Sequence, residues 1–422
     1  MNQKTLIGLA VAAVAAILIA VVLNHSNQPR SESGGEAPAA YLVPELKDHV
    51  NDVDKVVITG AESKPVATLT RGANGWSIAE KNGFAADTGK LREFILKLAD
   101  AKLLEQKTSS KDKYAMLGVE DVSGKDAKSV EVELGGLAKP VKLVIGNSNQ
   151  HGGTFVRRAG EAESWLASGS LAPDRKTENW LRKDLADIAA TRVSSVEITR
   201  PDGKAVHLAK AAEGDANFKL ADVPKGREAG SDYTINGPAS ALAGLKFEDA
   251  VPAKDAPPGE KPLKARFATF DGLVVEVTAW DKDGKDYAQL SASEDEKTAT
   301  AYADAEQAKA KEADAAKAAD AKSADAKSAD TNPADAKPAD AKTETAAAEP
   351  AKDRAAKLAA VRKEVDDLNA RFKDWTFVLA PYKYAAINKS PDDFLKPLED
   401  KNAAKKGGAD AKKAPAKKAK SS

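Results

Sequence analysis

The sequence contains no cysteine. Disulfide frameworks, thiolate nucleophiles and cysteine-based metal sites are therefore excluded. The absence leaves the compartment open, since a cysteine-free chain is at home in an oxidising one. Histidine is scarce, with only His25, His49, His151 and His207. Their spacing forms neither HxxxH nor HExxH, so no histidine metal motif is expected. No GxSxG elbow and no Walker A loop occur, which leaves the common hydrolase and ATP-binding routes unsupported. Net charge is missing too, because 64 Lys and Arg balance 64 Asp and Glu. No overall field draws the chain to nucleic acid or anionic lipid. Asp281-Lys282-Asp283-Gly284-Lys285-Asp286 superficially resembles a calcium loop. An EF-hand needs glycine sixth, and Gly284 is fourth, so the stretch reads as a β-turn between strands. These absences assign no catalytic residue, no cofactor and no metal, and an enzyme is not expected. A site built from paired carboxylates needs no local motif and is the one enzymatic alternative.

What is present begins with an apolar run. Leu6 to Leu23 carries no charge. At about 1.5 Å per residue it spans roughly 27 Å, the thickness of a bilayer's hydrocarbon core. It is longer than a typical signal-peptide core, and no small-x-small cleavage site follows closely. The expectation is an uncleaved single-pass anchor in a bacterial cytoplasmic (inner) membrane. Lys4 precedes the run, which puts the short N-terminal tip in the cytoplasm and the bulk of the chain on the extracytoplasmic, periplasmic side. Residues 1–25 thus form the tip and transmembrane anchor, and 26–40 a flexible stalk.

The 422-residue chain is long enough for two to three domains. Its body contains one pattern twice. Val53 to Thr59 and Val193 to Thr199 each open a copy, followed by Val66 to Thr70 and Ala205 to Ala209. Aromatic-led strands come next, at Trp76 to Ala79 and Phe218 to Ala221. A helix follows in each copy, with Leu91, Phe94, Ile95, Leu98 and Leu103 on one face in the first. In the second, Ile235, Ala239, Leu242 and Leu245 form a weaker stripe. Strands then resume. Ser129 to Leu134 alternates apolar and acidic residues and is matched with Leu273 to Trp280. Val141 to Gly146 is matched with Tyr287 to Leu290. Thr154 to Arg158 and Ser164 to Ala167 are matched with Trp375 to Leu379 and Lys383 to Ile387. Short turns join these strands, so the fold expected is α+β with two tandem, mainly antiparallel repeats, each with one helix. The first repeat covers 41–172, the second 191–296 and 374–395. Trp180, Leu181, Leu185 and Ile188 suggest a bridging helix over 173–190, with Trp180 a core aromatic.

Trp180 to Ile188 running into Val193 to Ile198, and Gly75 to Ile78 followed by Asp87 and the Leu-rich helix, resemble a bacterial family of unknown function, DUF4340. The resemblance covers roughly residues 40–295 and 374–395. It implies a membrane-anchored protein with a repeated strand-rich extracytoplasmic region. Some members are similar to auxiliary components of gliding-motility-type ABC transport systems. The family supplies no catalytic residues to carry over.

Residues 297–373 interrupt the second repeat. In the expected alignment, copy one closes the corresponding hairpin with Asn147 to Gly153, whereas copy two runs from about Ala292 to Trp375. Such insertions are tolerable because closure entropy rises only logarithmically with length. The insert starts as an Ala, Lys, Asp and Glu run of high helix propensity. Asp325, Asp330, Asp335 and Asp340 recur every five residues and wind around a helix without forming a stripe. Pro333, Pro338 and Pro350 are expected to break it, leaving a disordered tip. Leu358, Val361, Val365, Leu368 and Phe372 then repeat at 3-4-3-4 spacing, a coiled-coil-like seam. That seam is either a partner-docking face or a face packed on the parent domain. Residues 396–422 read as a basic disordered tail. Its Lys405, Lys406, Lys412, Lys413, Lys417, Lys418 and Lys420 could contact anionic lipid or an envelope polyanion. No aromatic residues interleave them, so nucleic acid is not an expected partner. The function expected is a non-catalytic, anchored accessory or scaffold protein, working with a membrane complex such as an ABC-type transporter. The alternative is an envelope-binding module acting through the lysine-rich tail.

Overall fold

Burial alternates along most strands of the computed structural model, which describes residues 39–325 and 343–397. The Leu6–Leu23 run, the stalk up to residue 38, the array from 326 to 342 and the seven tail lysines lie outside the described residues. Among the described residues, no helix is long and apolar enough to cross a membrane.

The chain is α+β, with two mainly antiparallel sheets. One compact unit comprises residues up to Val66 together with Gly89–Pro173; the other comprises Ala67–Thr88 and residues from Asp174 onward. The first unit holds β1 (Lys55–Thr59), β5 (Leu103–Thr108), β6 (Val130–Gly135), β7 (Val141–Ser148), β8 (Thr154–Arg158) and β9 (Ser164–Ala167). Their order is β1-β6-β7-β8-β9-β5, every neighbour antiparallel. In β6 the valines and Leu134 are buried while Glu131 and Glu133 are half-exposed, as a strand with one core face requires. Helix α2 (Thr88–Asp100) buries Leu91, Phe94, Ile95 and Leu98. The stripe expected from i, i+3, i+4 spacing is therefore its core face, except that Leu103 has passed into β5. Two four-residue helices, α1 (Leu46–His49) and α3 (Tyr114–Leu117), complete this unit.

The second unit contains β10 (Asp184–Ala186), β11 (Val193–Thr199), β12 (Ala205–Ala209), β13 (Lys219–Leu220), β14 (Leu245–Pro252), β15 (Leu263–Thr269), β16 (Leu273–Lys282), β17 (Lys285–Glu294) and β18 (Trp375–Leu379). Their order is β10-β14-β18-β17-β16-β15-β11-β12-β13. The β2 (Pro65–Gly72), β3 (Gly75–Ile78) and β4 (Phe84–Ala85) meander contributes Phe84 to this unit's core. Its ring meets Trp375 edge-on at 4.7 Å and Phe247 at 5.4 Å. Asp283 and Gly284 both have positive φ between β16 and β17, the two-residue hairpin turn expected there.

The run β1-β6-β7-β8-β9-β5 is repeated as β11-β15-β16-β17-β18-β14. This corrects the sequence alignment of the copies by one strand. β6 corresponds to Leu263–Thr269, and Leu273–Lys282 corresponds to β7. β15 reads Leu-Lys-Ala-Arg-Phe-Ala-Thr, with Leu263, Ala265, Phe267 and Thr269 buried. Its cationic outer face hid the alternation. The insertion moves accordingly. It joins β17 to β18, which corresponds to the β8–β9 turn, not to Asn147–Gly153.

Three further expectations give way. The helix expected at 173–190 is a short 3-10 turn, Thr177–Trp180, followed by strand β10. Backbone bonds there are taken laterally: Asp87 N–H donates to Trp180 and Arg182 N–H to Ala85, leaving no helical ladder. Trp180 is buried, with its indole N–H on the Asp174 carbonyl, and is the core aromatic expected. Lys383 to Ile387 is helical within α7 (Pro381–Ile387), where Pro381 occupies a first-turn position that needs no N–H. The second copy's helix shrinks to α4 (Asp232–Asn236) and a 3-10 turn at Pro238–Ser240, although Ile235, Ala239 and Leu242 are buried.

Candidate functional site

The insertion forms two long helices, α5 (Glu296–Asp325) and α6 (Thr343–Phe372). Asp295 caps α5, accepting from the Thr298 N–H at 3.2 Å and its hydroxyl at 3.0 Å. These bonds hold the Asp295 carboxyl below its ordinary pKa. Pro350, expected to break the helix, lies inside α6, which runs through it.

The two helices run antiparallel. Arg362 pairs with Glu294 near their base, and Arg354 with Asp304 farther out. Each helix is 30 residues long, about 45 Å at 1.5 Å per residue. The base is tied to the sheet. Asn369 Nδ2 donates to the Ala292 carbonyl at 2.8 Å, and its Oδ1 accepts the Ala292 N–H at 2.9 Å, mimicking a paired strand on β17. Arg192 donates Nη1 and Nη2 to the two oxygens of Glu364 at 2.8 and 2.6 Å and Nε to Asp271 at 2.9 Å. Burial works against the Arg192 charge, but Glu364 and Asp271 outweigh it and raise its pKa. Gly272 has φ +91° and lies so near α5 that an added Cβ would sit 2.7 Å from the Ala299 Cβ and backbone nitrogen.

The seam, read as either a partner-docking face or a face packed on the parent domain, is turned into its own unit. Val361, Leu368 and Phe372 are buried, while Leu358 and Val365 are half-buried. Two heptads cannot hold a free coiled coil, and the sheet supplies the missing packing. Val361, Leu368 and Phe372 are thus covered at the base by the arm's own unit. The exposed part of the arm includes Lys311 and Ala355, farther from the sheet.

A second feature lies wholly in the first unit. A cavity of ≈640 Å³ opens among the α1 segment, the β6–β7 loop and the β8–β9 turn. Leu42 and Val43, both buried, line it with Val141, Lys139, Lys142 and Arg158. Arg158 donates Nη2 and Nε to the Leu42 carbonyl at 2.7 and 3.2 Å. Its nearest carboxylate, Glu161, is 3.8 Å away, beyond hydrogen-bond reach. Lys142 pairs with Glu133 at 2.9 Å, and His49 with Asp52 at 2.6 Å.

Lys383 is the other buried cation of note. Its ammonium donates to the Ala243 and Ala241 carbonyls at 2.6 and 3.1 Å, and burial lowers its pKa. The carbonyls cap a turn, so its work is structural. Among the described residues no group of three His, Asp or Glu could hold a metal ion. Arg192 and Arg158 escaped sequence reading because their partners are remote. Glu364 lies 172 positions from Arg192 and Leu42 lies 116 from Arg158, and no local spacing encodes such pairs.

Residues 76–265 match the family model described as Domain of unknown function (DUF4340). The match ends within β15, so β16 to β18 and the helical arm lie outside it. No curated protein and no solved structure matches the chain.

Proposed function

We propose, from the premise that residues 76–265 carry a DUF4340 region, that this chain is a non-catalytic, membrane-anchored accessory or scaffold protein. Its Leu6–Leu23 run holds it in the bacterial cytoplasmic membrane with the sheets on the extracytoplasmic side. Its partner is a membrane-protein complex of the ABC-transporter type. The observation that supports this reading is the helical arm. Its base is fastened by Arg192, Asn369 and the Gly272–Ala299 contact, and its outer surface is charged and alanine-rich. A rigid rod on a sheet scaffold can reach a neighbouring protein without ordering a loop on binding.

Photo-crosslinkers at Lys311 and Ala355 in intact membranes test the reading. Recovery of an integral membrane protein from either position is expected. Absence of any adduct at both positions sinks the proposed role of the arm.

The second reading is an envelope-polyanion module. Eight lysines from Lys401 to Lys420 face only Asp410 in that stretch, which favours contact with anionic polymer or lipid. Removing 398–422 should then abolish salt-sensitive binding to anionic vesicles. Binding that survives the truncation removes the tail from consideration.

A further inference from the structure

We infer that the cavity of the first unit is a binding site for an oxyanion carrying an apolar chain. The argument starts from Arg158. A guanidinium has five N–H donors in a fixed fork. Two of its nitrogens are bonded to the Leu42 carbonyl, which orients the group against the cavity wall. Nη1 faces Glu161 in a long ion pair at 3.8 Å and makes no hydrogen bond, so its N–H groups remain open to a closer acceptor. A half-buried, oriented guanidinium with unfilled donors suits a carboxylate or phosphate, which accepts two parallel bonds.

The surroundings add to this. Lys139 lines the same space and has no anionic partner among the described residues. Lys142 lies close by, already raised in pKa by Glu133. Of the three lining carboxylates, Asp52 is engaged by His49 and Glu161 stands 3.8 Å from Arg158, an ion pair that an incoming oxyanion would displace; Glu45 stands without a cation. The rest of the lining is apolar and includes Leu42, Val43, Leu137 and Val141. A volume of ≈640 Å³ lies within the range of small-molecule sites. An apolar chain would take the aliphatic wall, while its head would meet Arg158 and Lys139. The head could be a fatty carboxylate or a lipid phosphate, and the test separates them.

The probe is an octanoate bearing a diazirine, photolysed with the full chain in native membranes and mapped by peptide mass spectrometry. Labelling is expected to concentrate in residues 42–52 and 137–142. Excess octanoate or octyl phosphate should compete, and whichever is stronger identifies the head. Arg158→Gln should cut the labelling about tenfold, the loss of one charged hydrogen-bonded contact. Arg158 also braces Leu42, so that variant could misfold. Lys139→Glu, at an exposed position, provides an independent reading and should cut labelling by a similar factor. Labelling spread evenly along the chain overturns the inference. So does equal competition by octanol or octylammonium, or labelling unchanged in folded Lys139→Glu.

Discussion

Arg192 and Glu364 form a two-pronged ion pair, Nη1 to Oε1 at 2.8 Å and Nη2 to Oε2 at 2.6 Å, that fastens helix α6 to the start of β11. The guanidinium also holds Asp271, so one side chain ties the helix to the β15–β16 turn. Arg192→Ala would leave two partly buried carboxylates facing each other. It should destabilise the second unit by about 1–3 kcal/mol, read as a lower urea midpoint. Arg192→Lys keeps the charge but cannot span both oxygens, so it should recover only part of the loss.

Gly272 and Gly284 make a paired test of how closely α5 approaches the sheet. Both have positive φ, +91° and +73°. A Cβ at Gly272 would strike Ala299, whereas one at Gly284 meets nothing within 4 Å. Gly284→Ala should cost about 1 kcal/mol from backbone strain alone. Gly272→Ala should cost clearly more and lower hydrogen-exchange protection in α5. Equal melting temperatures for the two variants would show that the contact carries no weight.

Asp295 gives the arm a pH dependence. Its carboxyl is held below the ordinary range by the Thr298 N–H and hydroxyl. A depressed carboxylate stabilises the fold above the unfolded pKa, and that contribution fades as pH falls through the folded value. Asp295→Ala should therefore cost about 1 kcal/mol at neutral pH, the usual worth of an N-cap. The gap to the parent protein should close in strong acid. Chemical denaturation at pH 7 and at acidic pH checks both.

The arm should be divisible. Replacing residues 309–349 by a short Gly-Ser turn removes the outer part and keeps the Asp304–Arg354 pair and everything nearer the sheet. That variant should fold, with a melting temperature close to the parent's. Deleting Thr298 to Arg371 takes away buried Ala299, Ala303, Val361 and Leu368 along with Glu364, and should leave the second unit unfolded. Loss of folding in both variants would falsify a separable tip.

Much of the local structure could be read from residue order. The Val-Glu-Val-Glu-Leu alternation of β6, the α2 stripe and the Asp283-Gly284 turn follow from periods and turn chemistry that need no distant partner. The seam from Leu358 to Phe372 was legible as apolar, but its covering was not. Whether such a face meets a partner or its own sheet depends on residues far away in the chain, here Ala292 and Arg192. The cavity was invisible for the same reason, being assembled from residues 42–52, 137–142 and 158–161.

The sequence by itself determined the α+β class, the doubling of the strand pattern and the existence of a helical insertion. Side-chain periodicity and turn residues are local, and they report which face of an element is apolar. Only the tertiary structure decided which strand pairs with which. Pairing β11 with β15 shifted the correspondence of the two copies by one strand and moved the arm to the hairpin equivalent to β8–β9. Two strands with the same alternation are interchangeable on paper. Backbone hydrogen bonds across the sheet, and the packing of the faces they bring together, choose between them.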